Sequence, residues 1–312
     1  MRLGEFYMLT SFVQIEDKVR AKPIRTVVVP AAANTCILEA AITATSRNLA
    51  KFILIDTRAR LEATLEQLGE GKEVLEQFEV VEEEDCPKAA AMGVAMIREG
   101  RASLLGKGRL QTFELMKAVL NRETGIREED SLLSDIMLIE QPLLKDPRLI
   151  GMSDPALCVS PSPDDLVKIT KNCMKVMNAI GCVTPKVALL AALEVEKEAM
   201  PVTKVAALVA KRLNSGEVEG VIAEGPLSFD VACSKRSADL KGRTTPVAGN
   251  ADLLIVPNIE AGNVIAKTIA VFTKAEYGHL VTGAKVPVVM SSRADVSKSK
   301  YNSILLGLLA AD

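Results

Sequence analysis

In LLGKGRLQT (Leu104–Thr112), Lys107 and Arg109 alternate with Gly106 and Gly108 just before a helical stretch. Glycine lets backbone approach an anion, and the free N–H groups of a helix start favour negative charge. A second set, SSRAD (Ser291–Asp295), follows the apolar run VPVVM. Arg293 can fork onto a phosphate or acyl-phosphate oxygen, because its planar donors fit that geometry. Ser292 can hydrogen-bond a thiol or a thioester carbonyl. Two further segments, VIAEGPLSFD (Val221–Asp230) and LIVPNIEAGN (Leu254–Asn263), repeat the layout of apolar run, small or polar turn, and helix start. Gly225 and Pro226 form the turn of the first, and Asn258, Glu260 and Asn263 surround Gly262 in the second. Each pattern also has a plain structural reading. Lys107 and Arg109 fit a solvated turn, Ser or Asp of SSRAD a helix cap, and Gly262 a left-handed turn.

Other chemistries lack their residues. The G-x-x-x-x-G-K-[ST] spacing of a nucleotide P-loop is absent, and no G-x-G-x-x-G follows a strand. His279 is the only histidine, in a stretch read as a loop beside Gly278, with a solvent-facing side chain expected. It supports neither a nucleophile triad nor a histidine-ligated metal. Six scattered cysteines, without a C-x-x-C pair, fit reduced and mostly buried thiols. The acidic runs Glu82–Asp85 and Glu128–Asp130 read as solvated surface. No metal site is expected.

The elements that must carry these residues alternate. RTVVVPAAA (Arg25–Ala33) reads as a buried strand, Thr35–Arg47 as a helix and KFILID (Lys51–Asp56) as a second strand. Helix 61–68, strand 76–82, helix 88–99 and strand 102–108 follow, then a helix over 112–121. Such alternation predicts right-handed βαβ units and a mostly parallel sheet. Between Gln141 and Pro163 the pattern breaks into a stretch rich in Pro, Ser and Asp, read as a domain crossing. Strand-and-helix patterning then resumes to the end of the chain.

Bulk properties agree. With 312 residues the chain fits two domains. Apolar residues make up 48% and aromatics only 3%, so aliphatic side chains must fill the interiors, as in a sheet covered on both faces. A formal charge of −2 offers no global attraction to nucleic acid or an anionic membrane. No leader and no apolar run of about 18 residues is evident, so a cytoplasmic enzyme acting on small molecules is expected.

Several stretches resemble the phosphate acetyl/butyryltransferase family. They are KGRLQT (Lys107–Thr112), VLNRETGIR (Val119–Arg127), AIGCVTPKVA (Ala179–Ala188), EGPLSFDVACS (Glu224–Ser234), ADLLIVPNIEAGNV (Ala251–Val264) and SSRADVSKSKYNSI (Ser291–Ile304). The resemblance implies a two-domain α/β fold like that of isocitrate and isopropylmalate dehydrogenases, with mostly parallel sheets and an interdomain cleft. It implies a first domain of residues 1–145 plus 286–312. The inserted second domain, 146–285, would carry a homodimer interface. The implied partners are acyl-CoA and inorganic phosphate, with coenzyme A as substrate and no permanently bound cofactor.

By the same resemblance, Ser292 and Arg293 match the pair at the reacting thioester. Lys107, Gly108 and Thr112 match the glycine-rich loop, and Lys117 stands where relatives often place Arg. Gly225, Pro226, Asn258, Glu260, Gly262 and Asn263 complete the implied substrate-binding set. Two positions depart from the pattern. The carboxylate that acetyl-type members carry seven residues after the serine is Ser299 here, leaving Asp295 as the nearby acid. Butyryl-type members read Ser-His where this chain has Ser134-Asp135. The competing expectations are a metal-dependent dehydrogenase of the same fold and a non-catalytic CoA-binding protein.

Overall fold

The computed structural model describes residues 8–129, 131–141, 147–290, 292 and 295–311. The chain groups into two compact units. A terminal unit joins Phe12–Ser131 to Glu276–Asp312, and a central unit comprises Leu132–Ala275 with Met1–Ser11.

The terminal unit opens with α1 (Phe12–Arg20), β1 (Arg25–Pro30), α2 (Thr35–Ser46), β2 (Ala50–Ile55) and α3 (Arg58–Leu68). It continues with β3 (Glu79–Val81), α4 (Cys86–Arg98), β4 (Leu104–Gly106) and α5 (Thr112–Val119). Local signals set these bounds. Asn34 caps α2 by accepting from the Ile37 N–H, and Asp85 caps α4 by accepting from the Lys88 N–H. Gly69, at φ 75°, closes α3.

The central unit holds β5 (Ser134–Gln141), β6 (Arg148–Ser153), α6 (Pro163–Ala179), β7 (Lys186–Leu190) and α7 (Pro201–Arg212). It then adds β8 (Ile222–Leu227), α8 (Phe229–Cys233), α9 (Lys235–Leu240), β9 (Leu253–Ile255) and α10 (Ile259–Phe272). The chain returns to the terminal unit through β10 (Tyr277–Thr282), β11 (Val288–Val289) and α11 (Ser297–Ala310).

In the terminal unit the strand order is β3-β2-β1-β4-β11-β10, parallel except for β10 against β11. In the central unit it is β5-β6-β9-β7-β8, parallel except for the β5–β6 pair. Val27, Val28, Leu104, Leu105 and Val288 form the middle of the terminal core, all fully buried. Helix α11 is buried at every position from Ser299 to Leu309, so this stretch lies inside that core on all sides.

Four sequence readings differ from the structure. The supposed crossing contains β6, which pairs antiparallel with β5 from Ile136–Ser153 to Gln141–Arg148. Breaker residues around the short apolar run RLIGMS masked it. The expected boundary near 145 would split this hairpin, and the one near 286 would separate β10 from its neighbour β11. The units instead divide after Ser131 and Ala275. Gly225 and Pro226 lie within β8, not in a turn. Strand β8 ends the order of the central unit, where a residue lacking an N–H is tolerated. His279 lies in β10 and is half-buried, its ring edge-on to Tyr277 at 5.8 Å. All six cysteines are unpaired, as expected, but only Cys173 and Cys182 are buried.

Candidate active site

Parallel strands leave their carboxyl ends at one edge of a sheet, where α/β proteins gather ligands. In the terminal unit, the chain leaving β4 is laid directly on the chain leaving β1. The Gly108 N–H donates to the Pro30 carbonyl at 3.1 Å, and the Arg109 N–H to the Ala31 carbonyl at 2.7 Å. A Cβ on Gly108 would stand 1.9 Å from the Ala31 oxygen, so only glycine fits. Arg109 then turns away: its Nε donates to Asp56 Oδ2 at 3.1 Å. Asp56, with no exposed surface, also accepts the N–H groups of Ala33 and Thr57. Arg109 is thus a clamp on Asp56, and the cation left between the two glycines is Lys107.

Lys107 is buried, and its Nζ donates to the Leu110 carbonyl at 3.2 Å. Thr112 opens α5 with an exposed side chain. Lys117, also exposed, faces a hollow of about 260 Å³ lined by Pro87, Val94 and Phe113.

Strand β11 lies beside β4, with Val289 opposite Gly106. The next residues, Met290 and Lys107, therefore leave the sheet side by side. Two residues further, Ser292 is held through both of its backbone polar groups. Its N–H donates to Asp295 Oδ2 at 2.6 Å, and its carbonyl accepts from the Asp295 N–H at 3.2 Å. The same carbonyl accepts from Lys300 Nζ at 2.9 Å. Asp295 and Lys300 are both buried. Arg293 falls outside the described residues. Ser299, where acetyl-type relatives are expected to carry a carboxylate, is buried and donates to the Val296 carbonyl at 3.0 Å.

Lys300 was missed in the sequence, where SKSKYNSI reads as the polar start of a helix. Among the described residues, Lys107 and Lys300 are the only lysines or arginines that are buried. Both lie at the β4–β11 edge. Burial pulls the Lys300 ammonium below the usual lysine range, while Asp295 and Cys36 oppose that shift.

In the central unit the expected binding residues do local structural work. Asn258 caps α10, its Oδ1 accepting from the Ala261 N–H at 2.9 Å. A Cβ on Gly262 would stand 2.9 Å from the Asp154 oxygen and the Pro155 Cα. Asn263 Nδ2 donates to the Pro155 carbonyl at 3.2 Å, while Glu260 is exposed. These residues gather around the carboxyl ends of β6 and β9. Gly225 and Pro226 sit apart in β8.

At the end of β6, the buried Asp154 accepts from the N–H groups of Asp135, Ala156, Leu157 and Cys158. Burial and the neighbouring Asp135 push its carboxyl above the usual range, against those N–H groups. A second polar cluster, also missed, lies past β7 and β8. There Lys241 Nζ donates to Glu194 Oε1 at 2.9 Å, and Ser228 bonds Asp230. No group of three His, Cys, Asp or Glu side chains among the described residues is placed to hold a metal ion. No described helix is long and apolar enough to cross a membrane.

Comparison with known proteins gives this geometry a family. The family described as Phosphate acetyl/butaryl transferase matches residues 72–308. A phosphate butyryltransferase of Clostridium acetobutylicum is 36% identical over 304 residues, covering 97% of this chain and 99% of its own. The crystal structure of a branched-chain phosphotransacylase from Enterococcus faecalis superposes with a TM-score of 0.81 at 29% identity. That match covers 92% of this chain and 99% of the other. A 4-hydroxythreonine-4-phosphate dehydrogenase from Klebsiella pneumoniae shares the fold alone, with a TM-score of 0.57 at 10% identity, covering 93% and 100%. The α/β fold read from the sequence, with its likeness to dehydrogenases, is therefore borne out, and the chain belongs to the phosphate acetyl/butyryltransferase family.

Proposed function

We propose that this protein transfers a short acyl group reversibly between coenzyme A and inorganic phosphate. The observation that carries the proposal is the burial of Lys107 and Lys300 at one strand-end edge, beside a serine whose backbone is locked. Two anionic reactants repel, and fixed cations in a water-poor site offset that repulsion as charge develops.

In the forward direction a phosphate oxygen attacks the thioester carbonyl. The new C–O bond forms, the C–S bond breaks, and the proton carried by phosphate ends on the departing thiolate. Lys107 and Arg293 relieve the charge, and the Ser292 hydroxyl stabilises the oxyanion or the thiolate. Gly108 gives the backbone its close approach, with Thr112 and Lys117 as further contacts for substrate phosphates. In reverse, the CoA thiol must lose a proton, and Asp295 is the carboxylate proposed to take it. Gly225, Pro226, Asn258, Glu260, Gly262 and Asn263 are proposed to shape the substrate-binding surface of the central unit. Butyryl transfer is the favoured activity, given the match to a phosphate butyryltransferase along nearly its whole length.

A cytoplasmic homodimer that joins through the central unit, with no cofactor held permanently, belongs to the same proposal. Six unpaired cysteines suit a reducing compartment. Helix α10 buries only Gly262 and Ala266, while Val264, Val271 and Phe272 are exposed. Such an apolar face fits a second copy. A solution mass near that of one 33.4 kDa chain would contradict the dimer.

The activity is tested by thiol release from acyl-CoA substrates, acetyl through hexanoyl, with phosphate or arsenate. Release that requires the anion and peaks near butyryl is expected. Tight CoA binding by calorimetry without release from any substrate would instead favour a non-catalytic CoA-binding protein. The departures at Ser299 and Asp135 motivate that second reading.

A further inference from the structure

Burying an ammonium is costly unless its donors are used. Placing it in the first turn of a helix adds repulsion from the positive end of the helix dipole. Lys300 does both. It is 3% exposed and is the fourth residue of α11, whose first turn has no acidic side chain to compensate.

What it touches shows the return on that cost. Its Nζ reaches the Ser292 carbonyl at 2.9 Å, across eight residues of chain. Asp295 holds the opposite side of the same residue by accepting the Ser292 N–H at 2.6 Å. A buried ammonium and a buried carboxylate therefore grip one serine from its two backbone polar groups. At the start of α11 the N-cap residue is Val296, whose side chain offers no cap.

From this geometry we infer that Lys300 is a positioning residue of the acyl-transfer site. It fixes Ser292 at the end of β11 and places a positive charge beside it, without itself touching substrate. The inference rests on the role proposed for Ser292 above. Misplacing a reacting group by about 1 Å can cost about 10²-fold in rate, so loss of the grip should appear in turnover more than in substrate binding.

The test compares full-length Lys300→Met, Lys300→Arg and Ser292→Ala with the wild type. Thiol release is measured at saturating and limiting acyl-CoA and phosphate, and folding by thermal unfolding. Lys300→Met is expected to lower kcat about 10²-fold with both KM values within about threefold. Lys300→Arg, which keeps charge and donors, should recover at least about tenfold of that loss. A folded Lys300→Met with kcat within threefold of wild type overturns the inference, as does an Arg variant no better than Met. So does a raised KM at unchanged kcat, which would make Lys300 a binding residue. If Lys300→Met does not fold, Lys300→Gln, which keeps a donor without charge, is judged by the same thresholds. Full turnover in Ser292→Ala would instead sink the role of Ser292, a failure separable from that of Lys300.

Discussion

At the carboxyl ends of β4 and β11 the terminal unit buries two ammonium groups, Lys107 and Lys300. At the carboxyl end of β6 the central unit buries a carboxylate, Asp154. Both places share the same architecture of parallel strands running into turns and helices. They differ in sign and in what the charge is used for. Asp154 is occupied by four backbone N–H groups and organises the loop on which α10 rests. Lys107 donates to the Leu110 carbonyl and Lys300 to the Ser292 carbonyl, on the segments that carry the Gly106–Gly108 turn and Ser292. A strand end is thus a permissive location and no more. The sign of the buried charge separates the edge proposed to hold the reacting groups from the edge proposed to shape the surrounding substrate surface.

Two substitutions sharpen this contrast, because each adds one methyl group to a glycine at a corresponding place. Gly108→Ala should have the larger effect. Its Cβ would overlap the Ala31 oxygen at 1.9 Å, so the chain carrying Lys107 must move off β1. Turnover should fall about 10²-fold, with roughly 1–3 kcal/mol of stability lost to overpacking. Steady-state thiol release together with urea unfolding would measure both. Gly262→Ala would set its Cβ 2.9 Å from the Asp154 oxygen, the Pro155 Cα and a Val256 methyl, so the backbone after β6 must shift, though by less than the chain at Gly108. A loss near the bottom of the same range, about 1 kcal/mol, with turnover within threefold of wild type, is the expected result. Equal losses of turnover in the two variants would break the contrast between the edges.

Much of this was readable from the chain. Arg25–Pro30 and Ala50–Ile55 are apolar runs between charges, and Asn34, Asp85 and Ser162 stand where helices begin. The glycines around Lys107 and the SSRAD run marked two strand ends, which the register of β4 and β11 then makes neighbours. The hairpin β5–β6 was hidden because its second strand is short and flanked by prolines, and pairing is a non-local property that no window of sequence displays. Gly225–Pro226 has the composition of a turn, yet the position of β8 in the sheet tolerates it.

Lys300 was hidden for a different reason. Helix α11 looks polar at its start, but several of those polar groups find partners in the interior. Ser303 Oγ donates to the Ser299 carbonyl at 2.8 Å and accepts from the His279 N–H at 2.8 Å. Asn302 Nδ2 donates to Glu276 at 3.2 Å. Asn302 and Ser303 are both at 0% exposure, and each has a partner on a distant segment, Glu276 and the His279 N–H, which residue type does not announce.

The central claim is that the cation held between Gly106 and Gly108 serves the anionic reactants. Phosphate-dependent thiol release by Lys107→Met, with folding checked by thermal unfolding, tests it most directly. The account predicts a folded protein whose kcat/KM for phosphate falls by about two to three powers of ten. A folded variant within threefold of wild type would contradict it.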